Sequence, residues 1–185
     1  DYALLRPEFS ELRKQVKEKR KGTKEIKNIL ISMGGSDKNN VTYDILQQLN
    51  NDFNVVVVLG GASQHKKMIK EYVKDKSVKV KVIVNADNMA ELMLKADLAI
   101  GAGGTTSLER CCLGLPTLLY VLSVNQRVIA ENLENLGAVI TVRNLQDNLR
   151  TMLNDFKLWH EMSDKGQSIC DGTGASKVLS KLCQT

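Results

Sequence analysis

The sequence predicts an α/β fold, with a doubly wound, parallel, six-stranded sheet in a three-layer α/β/α arrangement. Three observations predict it. Six short runs rich in Val, Ile and Leu alternate with stretches whose apolar residues recur at helical spacing. Glycine clusters stand where several runs end, at Gly34-Gly35, Gly60-Gly61 and Gly103-Gly104. The intervals leave room for the crossover helices that parallel neighbours require, and right-handed crossovers put helices on both faces.

Residues 1–27 read as a lead-in to a domain spanning 28–185. Tyr2 to Phe9 is partly apolar, and a polar helical stretch follows, ending near Gly22 and Thr23. The sequence offers this segment no core partner, so it reads as a connection from a preceding domain. The chain does not begin with Met, and it reads as a piece of something longer. Asn28–Met33 is a buried strand. Gly34-Gly35-Ser36-Asp37 breaks it, and Val41, Ile45, Leu46 and Leu49 continue a helix capped by Ser36 or Asp37. Phe53–Leu59 is the second strand, and Met68, Ile69 and Tyr72 mark the next helix. Val78–Val84, interrupted by lysines, is a third strand with an exposed start. A turn and a short helix, Met89–Lys95, lead to the fourth strand, Asp97–Ile100. A glycine turn of Gly101, Gly103 and Gly104 then opens a helix over Thr105–Leu113, closed at Gly114. Thr117–Leu122 is the fifth strand, Ser123–Gln126 a loop, Arg127–Leu136 a helix and Ala138–Val142 the sixth strand. Helices over 145–154, 156–166 and 175–182 finish the chain. Ligands of such sheets sit beyond the strand C-termini, where strand order reverses. The fourth strand is the expected place.

Composition narrows the partners. The net charge is +5, but Lys and Arg crowd Arg13–Lys27, which reads as a solvated helix or linker. Aromatics are 4% of the chain and none interleaves with the basic run, so nucleic acid is not an expected partner. Apolar runs such as Val55–Leu59 are far too short to cross a membrane, and nothing resembles a signal peptide. The four cysteines form no CxxC and no zinc-ligand spacing with His. Reduced thiols, a cytoplasmic location and no metal are expected. Cys111 and Cys112 should pack against the sheet. His65 and His160 fall at no ligand loop with a partner carboxylate.

Three constellations carry chemistry. Gly34-Gly35-Ser36 ends the first strand; it allows close approach of a phosphate or sugar, or simply turns the chain into a capped helix. It lacks the GxGxxG and GKS/T spacings of dinucleotide and P-loop sites. Gly103-Gly104-Thr105-Thr106 supplies glycines, hydroxyls and helix-opening N–H groups, an anion site by construction. Glu109, one turn on, has two readings: its carboxylate accepts from a ribose diol, or it closes a capping box with Thr106. Asn125 and Gln126 offer paired amides at the same sheet edge, or a helix cap beside an exposed side chain.

The run GAGGTTSLERCCLGLP (101–116), followed by a strand and Asn125-Gln126, resembles the C-terminal domain of PseG, the UDP-sugar hydrolase family of pseudaminic acid biosynthesis. YALLRPEF (2–9) resembles the interdomain segment of that family, and ISMGGSD (31–37) its next strand and loop. MurG, an N-acetylglucosaminyl transferase, is more distantly similar. The resemblance covers nearly the whole chain. It implies the Rossmann-like C-terminal half of a GT-B fold that binds UDP or a UDP-sugar without a cofactor. The implied partner is an N-terminal domain holding most of the sugar pocket. The implied reaction releases UDP from UDP-2,4-diacetamido-2,4,6-trideoxy-β-L-altropyranose, with water as nucleophile. A MurG-like glycosyltransferase and a non-catalytic nucleotide-sugar-binding module are the alternatives. Position by position, the resemblance assigns Glu109 to the ribose. It assigns Gly103, Gly104, Thr105 and Thr106 to the phosphates, and Asn125 and Gln126 to the nucleotide sugar. Gly34, Gly35 and Ser36 face the cleft, and Ala86 and Met89 lie where backbone reads uracil. The family's catalytic histidine belongs to the N-terminal domain, and neither His65 nor His160 matches it. The chain alone is therefore expected to be inactive as a hydrolase.

Overall fold

A computed structural model describes residues 2–74 and 79–183. Its sheet has six strands: β1 (Asn28–Ser32), β2 (Asn54–Leu59), β3 (Val80–Val84), β4 (Leu98–Ala102), β5 (Thr117–Tyr120) and β6 (Val139–Thr141). They run in the order β3-β2-β1-β4-β5-β6, and every neighbouring pair is parallel. The helices are α1 (Pro7–Gly22), α2 (Val41–Gln48), α3 (Lys66–Lys74), α4 (Met89–Lys95), α5 (Thr106–Cys112), α6 (Arg127–Asn135), α7 (Leu145–Asn154), α8 (Phe156–Ile169) and α9 (Gly174–Leu182). A short 3-10 turn over Val124–Gln126 precedes α6.

The period of two along each strand divides the core into two layers. Ile29, Ile31, Val55, Val57, Leu98, Ile100 and Leu118 face α2, α3 and α7. Leu30, Val58, Ala99 and Leu119 face α1, α4, α5 and α6. Helix α8 meets both layers: Trp159 and Met162 join the first, while Gly166 lies against Cys111 of α5.

Three expectations need correction. The lead-in has a core partner, because Phe9 and Val16 of α1 are fully buried among Ala90, Met93, Cys112 and Leu113. The basic run is likewise not all solvated. Arg20 is buried and donates to the carbonyls of Met93, Ala96 and Leu113, and Arg13 donates to those of Cys112, Gln167 and Cys170. Gly101 is not in a turn; it pairs with Ser32 inside β4, which runs two residues further than Ile100. Met68, Ile69 and Tyr72 all fall on α3 as expected, with Ile69 its buried anchor. Residues 75–78, which include the expected start of the third strand at Val78, lie outside the described residues; from Val80 onward β3 is an edge strand of intermediate burial.

Candidate functional site

The centre of the sheet is where the strand order turns. β1 and β4 are neighbours, with Ser32 opposite Gly101. The chain leaves β1 toward α2 in one core layer and leaves β4 toward α5 in the other. Their departing loops diverge and open a cleft above the two strand ends, as such a reversal requires.

The cleft has two lobes. The first, about 600 Å3, is lined by the β1–α2 loop from Met33 to Asn39, by Ala102, Gly104, Thr105 and Thr106, and by Leu122, Ser123 and Gln126. The backbone amides of Gly34, Gly35, Ser36, Thr105 and Thr106 make no hydrogen bond among the described residues. Two loops thus present free N–H donors to one cavity. Gly34 makes its loop possible, because its φ of +86° disfavours a residue with a side chain. Asp37, a buried carboxylate at the back of the loop, spends its charge locally: Val41 N and Thr42 N donate to it at 2.9 and 3.1 Å, capping α2 as expected.

The second lobe, about 390 Å3, shares Ser32, Gly34, Gly35 and Thr106 with the first. Arg6, Asn85, Ala86, Met89 and Glu109 form its other walls. The helix start decides between the two readings of Glu109. Thr105 is the cap position and Thr106 the first helical residue, so Glu109 is fourth, one beyond the position a capping box uses. No side-chain hydrogen bond caps α5. The carboxylate is half-buried in the lobe, and burial pushes its pKa above the ordinary value, with Arg6 and Arg110 pulling it back only in part. A half-buried carboxylate left without a local donor is an acceptor awaiting one.

Ten of the twelve residues singled out from the sequence line these two lobes; Gly103 and Asn125 do not. Gly103 donates its amide to Tyr120 O and lies against Leu119, with Gln126 beyond it. Asn125 is exposed beside Ser123, whose hydroxyl donates to its Oδ1. Gln126 reaches the first lobe, but its Oε1 already accepts from Leu122 N (2.9 Å), which leaves its amino group for a ligand. Sequence reasoning missed Arg6 and Lys38, the two cations on the cleft. Arg6 stands 81 residues before Asp87, whose carbonyl it reaches at 3.3 Å, so only the packing of α1 reveals it. His65 lines neither lobe; its Nε2 lies 3.2 Å from the Lys38 carbonyl oxygen. His160 packs against Trp159 and Phe156. Cys111 and Cys112 are buried, and burial pushes the Cys111 thiol up to about 12, as suits packing rather than reactivity.

Residues 7–165 match the profile of the glycosyltransferase family 28 C-terminal domain. The chain belongs to this family. Its sequence is 41% identical over 131 residues to the uncharacterized protein MJ1062 of Methanocaldococcus jannaschii, covering 68% of this chain and 27% of that protein. It is 28% identical over 195 residues to the spore coat polysaccharide biosynthesis protein SpsG of Bacillus subtilis, covering 98% of this chain and 56% of that one. The chain thus spans at most a little over half the length of these curated relatives. The crystal structure of MurG from Acinetobacter baumannii superposes with a TM-score of 0.71 at 21% identity, over 92% of this chain and 53% of that one. The fold is accordingly GT-B-like and Rossmann-like. Solved structures of the same fold include proteins holding UDP, UDP-glucose or UDP-GlcNAc, with TM-scores of 0.59 to 0.64 at 15 to 18% identity. Among the described residues, no helix is long and apolar enough to cross a membrane.

Proposed function

We propose that the cleft binds the nucleotide of a UDP-sugar, with phosphates in the first lobe and uridine in the second. The observation that carries this reading is the pairing of five free amides in one lobe with an uncapped, half-buried Glu109 in the next. Gly34, Gly35, Ser36, Gly104, Thr105 and Thr106 hold phosphate oxygens. Glu109 accepts from the two ribose hydroxyls, and the backbone around Ala86 and Met89 reads the base. Asn125 and Gln126 approach the sugar from the rim, and Gly103 supports Gln126 from below.

The resemblance of 101–116 and 2–9 to PseG favours a UDP-sugar hydrolase of pseudaminic acid biosynthesis. In that reading the chain is the leaving-group half of the enzyme. A preceding domain brings the sugar pocket and the histidine that activates water. The second reading is a MurG-like glycosyltransferase, favoured by the family match and the MurG superposition. Product analysis on the full-length protein separates them: free sugar marks the hydrolase, and a glycosylated acceptor marks the transferase.

Calorimetric titration tests the site itself. UDP should bind more tightly than UMP or ADP. Glu109→Ala should cost about 1–3 kcal/mol, the worth of buried hydrogen bonds to a charged group. Equal affinity of Glu109→Gln and the native chain for UDP, or equal native affinity for UDP and 2′,3′-dideoxy-UDP, removes the ribose role.

A further inference from the structure

Arg110 is only 2% exposed and is bonded to Ala102, one of the residues that line the first lobe. Its Nη2 donates to Ala102 O (2.7 Å) and to Ser107 Oγ (3.0 Å). Ser107 Oγ reaches the same carbonyl at 3.5 Å, and the Gly104 amide donates to it at 3.0 Å. Three donors therefore converge on the last carbonyl of β4, where the chain bends into Gly104–Thr106. Gly101 makes the room, since a Cβ there would stand 2.4 Å from Arg110 Nη1. The glycine that reads as part of a turn is instead the seat of a guanidinium.

The seat is electrostatically incomplete. Arg110 Nε is buried with no hydrogen-bond partner, and none of the ion pairs among the described residues includes Arg110. Arginine stays protonated in proteins, and a buried cation without a partner is costly. Among the described residues, the cation has an accepting carbonyl and a hydroxyl and makes no ion pair, although the Glu109 carboxylate feels its charge. The Ala102 carbonyl that it binds ends the strand leading into Gly104, Thr105 and Thr106, which line the first lobe with Ala102.

We propose that Arg110 is a positioning residue for the phosphates of the bound nucleotide. It holds the Ala102–Thr106 bend that aims the loop amides, and its charge, buried behind the lobe-lining Ala102, acts through a low-dielectric interior. The inference rests on the reading that UDP binds this cleft.

The test titrates the native chain, Arg110→Met, Arg110→Lys and Gly101→Ala with UDP, inorganic pyrophosphate and uridine. Arg110→Met should weaken UDP and pyrophosphate at least tenfold and leave uridine within twofold. Gly101→Ala, which displaces the guanidinium, should reproduce that pattern. Arg110→Lys keeps the charge without the fork and should recover part of the phosphate affinity. Equal loss for UDP and uridine, or no loss for either, overturns the proposal. Should the variants fail to fold, the Arg110 Nε–H resonance of the native chain decides: UDP and pyrophosphate shift it and uridine does not. An unmoved resonance at saturating UDP is fatal. A native chain that binds no UDP fells the nucleotide reading together with this one. A native chain that binds UDP, beside an Arg110→Met variant that binds it equally, fells this inference alone.

Discussion

Asp97 shows how one residue can hold the sheet to the helix laid across it. Its carboxylate accepts from Lys19 Nζ (2.9 Å), Lys27 N (3.1 Å), Asn28 N (2.9 Å) and Asn28 Nδ2 (2.9 Å), and its backbone carbonyl accepts from Trp159 Nε1. Burial alone would raise its pKa, but the Lys19 ammonium and the two amides outweigh burial and hold it below the ordinary carboxylate value. A carboxylate lowered in the folded state adds stability above its unfolded pKa and loses it as pH falls through the folded value. Asp97→Asn should therefore destabilise the protein by about 1–3 kcal/mol at neutral pH. In denaturant titrations, the gap between native and variant should hold at neutral pH and close as the pH falls past the ordinary carboxylate range and through the lowered Asp97 value. A gap that persists undiminished at acid pH means that packing, not charge, makes the difference.

Helix α1 marks the boundary between what the sequence tells and what it hides. The six strands, the doubly wound parallel class and the cleft loops were legible, because alternating runs and glycine breaks report directly on backbone geometry. The packing of α1 was not. Phe9, Arg13, Val16 and Arg20 fall at spacings of four, three and four, one helical face, yet two of the four are arginines. Charge reads as solvent exposure, but here the guanidinium groups satisfy backbone carbonyls at the ends of α4, α5 and α8. The same blindness hid Arg6 from the candidate site. For Glu109 the obstacle was smaller: a helix start shifted by one residue undoes the capping box that its spacing suggests. If α1 belongs to the domain, Phe9→Ala should cost about 3–5 kcal/mol, the usual range for a fully buried aromatic. Chemical denaturation measures it, and a loss under 1 kcal/mol would return α1 to the status of a lead-in.

At the scale of the whole molecule, the two lobes of the cleft divide the proposed ligand unequally. The amides of the first lobe and the carboxylate of the second suit a nucleoside diphosphate. Under the proposed reading the sugar projects past Asn125 and Gln126, toward the preceding domain that this reading calls for. Two consequences separate binding from chemistry. UDP at 100 times its Kd should stabilise the 185-residue chain by about 2.7 kcal/mol. For a chain of this length that raises Tm by roughly 5–10 °C. UDP-GlcNAc should give nearly the same shift, since its sugar meets few contacts here, and uridine should give far less. Incubation of the chain with a UDP-sugar should then release no UDP. A UDP-sugar that binds tenfold more tightly than UDP would place the sugar pocket within this chain, and turnover would place the catalytic group there too. Equal shifts without turnover are what a leaving-group half of a two-domain enzyme requires.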